Sequence, residues 1–218
     1  MSQLTSFYQS SVGKKFVVGI TGLFLSSFLV VHLYINLFLF KHDGGETFNM
    51  YAEFMAKNPI VRTLEIVLFL GFILHMITST LLWIRNKVAR PQKYLVTHPL
   101  ESSTFSSRVT FLTGSIIFFS LVMHMKTFWV ASRFFPEQNP SMYNLVAGAF
   151  KSPVYDGFYL IALFLLGFHL RHGFQSAFQT FGIRGKRYEG LIELVGAIFW
   201  LVIPLGFAAM PIYFLINS

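Results

Sequence analysis

Residues 164–178 read FLLGFHLRHGFQSAF. Without His169, Arg171 and His172 this would be an ordinary apolar membrane span. With them, ionisable groups stand where a bilayer strongly disfavours them, and such groups need partners inside a helix bundle. The surrounding apolar run, about 155–180, is long enough to cross about 30 Å of hydrocarbon at about 1.5 Å per residue.

Four further runs meet the same length requirement, at about 16–40, 60–85, 107–131 and 190–216. Of the 218 residues 54% are hydrophobic and only 12% charged, too few charges to solvate a soluble domain of this size. The expected fold is all-α: an integral membrane bundle of five transmembrane helices, forming a single membrane domain over residues 1–218. The absence of cysteine excludes disulfides, thiolate zinc sites and cysteine-ligated iron–sulfur clusters within the chain. The N-terminal MSQLTSFYQSSVGKK leads into an apolar run too long for a signal h-region, with no small-residue cleavage site after it, so a retained first span is expected. No convincing internal repeat is visible.

Basic residues give the bundle a direction. One face would carry Lys14, Lys15, Arg85, Lys87, Arg90, Lys93, Arg108, Arg184, Lys186 and Arg187; the other Lys41, Lys57, Arg62, Arg133 and Lys151. Ten against five makes the first face cytoplasmic, with the N-terminus inside and the C-terminus outside. Asp43, Glu46, Glu53, Glu137 and Asp156 fall on the outer side. The net charge of +8 is therefore a topological signal and does not call for nucleic acid; the same face could also dock an acidic partner.

Of seven histidines, His42 and His98 fall in loops and are expected to be solvated. The other five lie in the first four spans: His32, His75, His124, His169 and His172. Because alternate spans run in opposite directions, the histidines sort by depth. His32 and His124 lie about 24 Å above the inner ends of their spans, and His75 and His169 about 15–16 Å above theirs. Two pairs are expected, an outer His32/His124 and an inner His75/His169, about 8–9 Å apart in height. Two facing imidazoles can clamp a haem iron from both sides, whereas zinc wants three or four converging ligands. Haem is a large apolar disc, and the spans are rich in Phe, Leu and Ile. Bis-histidine iron has no open position, which argues for electron transfer over oxygen chemistry. Ser26, Ser27, Gly71, Gly167 and Gly173 near the histidines either admit a macrocycle or let helices pack closely. His172 shares a helix face with His169; depth favours His169 as the ligand. His172 and Arg171 would lie closer to the inner surface, where they could meet haem propionates, or Arg171 could snorkel toward headgroups.

The stretches VVHLYINLF, GGETFNMYAEFMAKNPIVRTLEI, FILHMITSTLLWI, VMHMKTF and FHLRHGFQSAFQTFGI resemble the di-haem cytochrome b anchor of succinate:quinone oxidoreductases, the succinate dehydrogenases and fumarate reductases with one five-helix anchor subunit. The resemblance implies two haems b. The proximal one would use His75 and His169, the distal one His32 and His124. It also implies an iron–sulfur subunit and a flavoprotein on the cytoplasmic face of a bacterial inner membrane. Electrons from succinate would reach quinone, menaquinone in particular, near the distal haem. Glu65, in RTLEI, resembles a carboxylate that the family places near the quinone cavity; an ion pair with Arg62 at i−3 is the other reading. Some fumarate reductases carry a glutamate two residues before the ligand of the fourth span. Gly167 stands there instead, which tilts the expectation toward succinate oxidation.

Two other functions fit parts of the pattern. One is a di-haem cytochrome b serving another membrane oxidoreductase, of hydrogenase or nitrate reductase type. The other is a transporter using intramembrane histidines as a proton relay. A zinc-dependent membrane hydrolase fits poorly, because no carboxylate–histidine motif is present.

Overall fold

The computed structural model describes residues 10–89, 105–138 and 141–217. Arg90, Lys93 and His98 lie outside the described residues, as do the first nine positions of the N-terminal stretch. Among the described residues the secondary structure is helical, with no strand.

Five stretches are long and apolar enough to cross a membrane: Ser11–Phe40, Pro59–Val88, Arg108–Phe134, Pro153–Thr180 and Glu189–Ile216. They match the five sequence runs to within a few residues. Helix is the required solution for such runs, because it pairs every backbone group within the segment. The first span is α1 (Ser11–Asn36) closed by a 3-10 turn, Leu37–Phe40. Ser10 caps it by accepting from the Gly13 amide at 2.9 Å. The second is α3 (Pro59–Val88), started by Pro59 at its first turn and by Asn58, which accepts from the Ile60 and Val61 amides. The third is α4 (Phe105–His124), continued by a π-turn, Met125–Val130, and by α5 (Ala131–Phe134). The fourth is the unbroken α7 (Pro153–Thr180). The fifth is α8 (Glu189–Ala197), a second π-turn, Ile198–Val202, and α9 (Ile203–Ile216).

Two short helices, α2 (Glu46–Lys57) and α6 (Met142–Ala149), occupy the first and third connections between spans. They pack on each other at the end of the bundle opposite the N-terminus. Asn49 on α2 accepts from the Tyr143 amide at 2.9 Å and donates to Ser141 Oγ at 3.1 Å. Beneath them Leu39, Phe48, Phe128, Val146, Phe150, Met210 and Phe214 form a buried apolar cluster. Leu70, Phe119, Phe164 and Leu194 are exposed on the outside of the spans, as expected of side chains that face lipid.

The fourth span is the hub: α7 packs against α1, α4 and α9, and α1 also packs against α3. The second and third spans meet through rings, with Trp83 stacked on Phe111 at 3.9 Å and Phe69 edge-on to Trp129 at 5.5 Å. Spans one to four thus run in order around a ring. Histidines on the first and third spans, or on the second and fourth, face one another across its diagonals.

Candidate cofactor site

The rings of His32 and His124 stand 5.8 Å apart, centre to centre, at 86° to one another. They come from the first and third spans, across one diagonal. Phe28 stacks on His32 at 5.3 Å and Phe207 of α9 packs beside it at 5.4 Å. Phe128, in the π-turn that follows His124, covers the other ring at 5.0 Å. π-turns inside helices commonly mark functional sites. Tyr159 Oη lies 3.2 Å from His124 Nδ1, and Tyr155 Oη lies 3.2 Å from Tyr159 Oη. Asn36 Nδ2 is 3.4 Å from His32 Nδ1 and donates to the His32 carbonyl at 2.8 Å.

The second diagonal brings His75 and His169 within electrostatic reach of each other, and His172 within reach of His169. His75 Nδ1 lies 3.0 Å from Thr21 Oγ1 on the first span, and His169 Nδ1 lies 3.5 Å from Thr113 Oγ1 on the third. Thr21 therefore marks the height of His75 on α1. His32 follows eleven residues later on the same helix, about 16 Å further along the axis. The separation of the two levels is about twice the sequence estimate. That estimate measured each histidine from the end of its own span, and span ends do not share one plane.

Two imidazoles that share one metal ion stand with ring centres about 6 Å apart, given metal–nitrogen bonds of about 2 Å on either side. The His32/His124 separation suits that clamp. Among the described residues no three His, Cys, Asp or Glu side chains converge to hold a metal ion, so the donor set fits two-ligand coordination and not zinc. The residues present fit a bis-histidine haem, in which the protein supplies one imidazole to each side of the iron.

Of the small residues flanking the histidines in sequence, Gly71 and Gly167 serve helix packing, whereas a Cβ on Gly173 would meet nothing within 4 Å. A Cβ on Gly71 would meet the Phe24 ring at 3.1 Å, and one on Gly167 would lie 2.8 Å from the Trp200 carbonyl oxygen. Ser26 and Ser27 donate to carbonyls of their own helix. The glycines that do meet imidazoles are Gly22, against His75, and Gly114, against His169.

Arg171 is exposed, with its guanidinium 5.1 Å over the ring of Trp200. It is two residues from His169 and so lies on another helix face. His172 is part-buried near His169. His42 is exposed in the turn before α2, as expected. Glu65 makes the ion pair with Arg62 and has a second partner across the helices. Arg62 donates to Oε2, and Trp129 Nε1 on the third span donates to Oε1 at 2.8 Å. Trp129 lies five residues beyond His124, about 7.5 Å further from the N-terminal end.

Over 173 residues the chain is 28% identical to the succinate dehydrogenase cytochrome b558 subunit of Bacillus subtilis (strain 168), covering 77% of this chain and 80% of that protein. That likeness supports the succinate:quinone oxidoreductase cytochrome b family. No family model matches the chain, and no solved structure matches it. The resemblance first carried by five stretches, four of them histidine-bearing, is thus supported by a curated relative of the same kind. A succinate dehydrogenase cytochrome b subunit is by name part of an enzyme complex, and five apolar helices make this chain a multi-pass membrane protein.

Proposed function

We propose that this chain is the membrane anchor and electron-transfer subunit of a succinate:quinone oxidoreductase in a bacterial inner membrane. The observation that carries the proposal is the facing of His32 and His124 across the first diagonal, at a separation suited to one shared iron. His32 and His124 would hold a haem b at the outer level, and His75 and His169 a second at the inner level. Haem b so bound supplies one-electron transfer with no open coordination position.

The chain's own residues do the rest. Phe28, Phe128 and Phe207 pack the outer imidazoles in an apolar setting that limits water. The N-terminal end, with Lys14, Lys15, Arg85, Lys87, Arg184, Lys186 and Arg187, is the cytoplasmic face and receives the iron–sulfur and flavoprotein subunits. Glu65, held by Arg62 and Trp129 beyond the outer level, lies where a quinone would take up protons, and its carboxylate is the group to hold one. Menaquinone is the quinone proposed. Dicarboxylate chemistry belongs to the partner subunits.

The test is purification of the native complex and its difference spectrum with succinate as reductant. The expected result is b-type cytochrome absorbance that succinate reduces, in a complex containing a flavoprotein. A colourless complex overturns the haem reading. A cytochrome that only another donor, such as hydrogen, reduces moves the chain to a different dehydrogenase.

A further inference from the structure

The inner histidines are held by the same device twice. On α1, Thr21 Oγ1 donates to the Val17 carbonyl at 2.7 Å and faces His75 Nδ1 at 3.0 Å. On α4, Thr113 Oγ1 donates to the Thr110 carbonyl at 3.0 Å and faces His169 Nδ1 at 3.5 Å. The Val18 backbone also bonds His75, and the Thr110 backbone bonds His169. Both backbone groups stand three residues before their threonine. In each case the next residue is a glycine, Gly22 or Gly114, whose added Cβ would lie 3.2 Å from the imidazole Cε1.

Each hydroxyl has spent its one proton on its own helix. Toward the imidazole it offers only lone pairs. The second neighbour of each ring, a backbone carbonyl, is also an acceptor. Facing acceptors, Nδ1 of each ring is the nitrogen placed to hold the proton, which leaves the Nε2 lone pair for a metal. Both hydroxyls are buried, Thr21 at 8% and Thr113 at 2% exposure, so water does not replace them.

The device recurs in sequence. Thr21–Gly22 precedes His32 by the same interval as Thr113–Gly114 precedes His124, eleven residues from threonine to histidine. Eleven residues are close to three helical turns, so both ends of the motif share one face. The first and third spans thus each offer an outer-level histidine and, three turns below it, a clasp for the inner-level histidine of the following span.

We propose that Thr21 and Thr113 are positioning residues that fix the tautomer and rotation of His75 and His169, with Gly22 and Gly114 making room for the rings. The proposal rests on the haem reading above. Donation from Nδ1–H to an acceptor raises the basicity of the ligand nitrogen and favours the oxidised metal.

The test uses the full native complex, with the inner spectral component identified as the one lost in His75→Ala and the outer as the one lost in His32→Ala. Thr21→Val keeps the shape and removes the hydroxyl; Thr21→Ser keeps the hydroxyl. Thr21→Val is expected to raise the midpoint potential of the inner component and weaken its retention about tenfold, and Thr21→Ser to restore both. Thr113→Val is expected to act in the same direction but less, since its contact is longer. The outer component, carried by the same polypeptide, reports folding and should stay unchanged. If wild-type complex has no b-type absorbance, the haem reading fails and takes this inference with it. If both components are present and Thr21→Val leaves the inner potential at the wild-type value, the clasp alone is overturned. It is equally overturned if Thr21→Ser behaves as Thr21→Val does.

Discussion

The Tyr159 hydroxyl sits 3.2 Å from His124 Nδ1 and is itself met by the Tyr155 hydroxyl at 3.2 Å. The outer histidine is therefore the end of a chain of phenols on the fourth span. In the metal-binding form of His124 the ring donates from Nδ1, and Tyr159 accepts. Tyr159→Phe leaves that donor without a partner. The expected outcome is a loss in retention of the outer cofactor of about tenfold to a hundredfold, the usual range for an outer-shell partner of a ligand. The inner component should be unaffected. Cofactor per polypeptide, read from the two spectral components, is the measurement.

Glu65 ties the second span to the third, through Arg62 on its own helix and Trp129 on the other. Glu65→Gln keeps an acceptor for Trp129 and removes the charge. If the carboxylate handles protons for quinone, quinone reduction by the complex should fall at least tenfold, while succinate oxidation with an artificial acceptor stays at the wild-type rate. Equal rates in both assays would reduce Glu65 to a structural ion pair, worth about 0–1 kcal/mol when part-exposed.

Much of this architecture can be read from the chain. Apolar runs of membrane length admit only helix, so the five spans were legible within a few residues. Depth pairs His32 with His124 and His75 with His169; the structure sets the first two rings 5.8 Å apart and leaves the other two within electrostatic reach. What the counting missed has physical causes. The height between levels depends on how far each helix slides along its neighbour, which packing sets and span ends do not. Helices α2 and α6 are short and only partly apolar, and they depend on each other, through Asn49, Ser141 and Tyr143, for burial. Tyr159 and Trp129 were hidden because their partners lie 35 and 64 residues away. The Thr-Gly clasp could have been found: the interval from Thr21 to His32 equals that from Thr113 to His124, a repeat too sparse to register as sequence similarity.

Gly167 is the place where the fourth span touches the backbone of the fifth. A Cβ there would stand 2.8 Å from the Trp200 carbonyl oxygen, closer than real contacts allow, and backbone cannot swing aside as a side chain does. Gly167→Ala is expected to cost about 1–3 kcal/mol, the usual range for overpacking. Gly167→Glu should do worse, because the longer chain enters the same space. The measurement is thermal unfolding in detergent. The same contact leaves no room for a carboxylate at that position unless the fifth span moves outward.

Asp43 starts α2 from outside the bundle. Its carboxylate accepts from the Gly45 amide at 3.0 Å and the Thr47 amide at 3.1 Å, and also from the Thr47 hydroxyl. Those bonds, the hydroxyl first, hold its pKa below the ordinary 3.8. A depressed carboxylate favours the folded state when ionised. That contribution is complete at neutral pH and persists down to about the unfolded value. It is lost as the pH falls further, through the lower folded value. Asp43→Asn keeps one acceptor oxygen but cannot ionise. Unfolding temperature followed between about pH 6 and pH 2 should therefore fall more steeply in wild type than in Asp43→Asn below about pH 4, with the two curves parallel above it. The effect should be confined to acid, since Gly44 and Gly45, at φ of 67° and 87°, shape the turn itself without any titrating group.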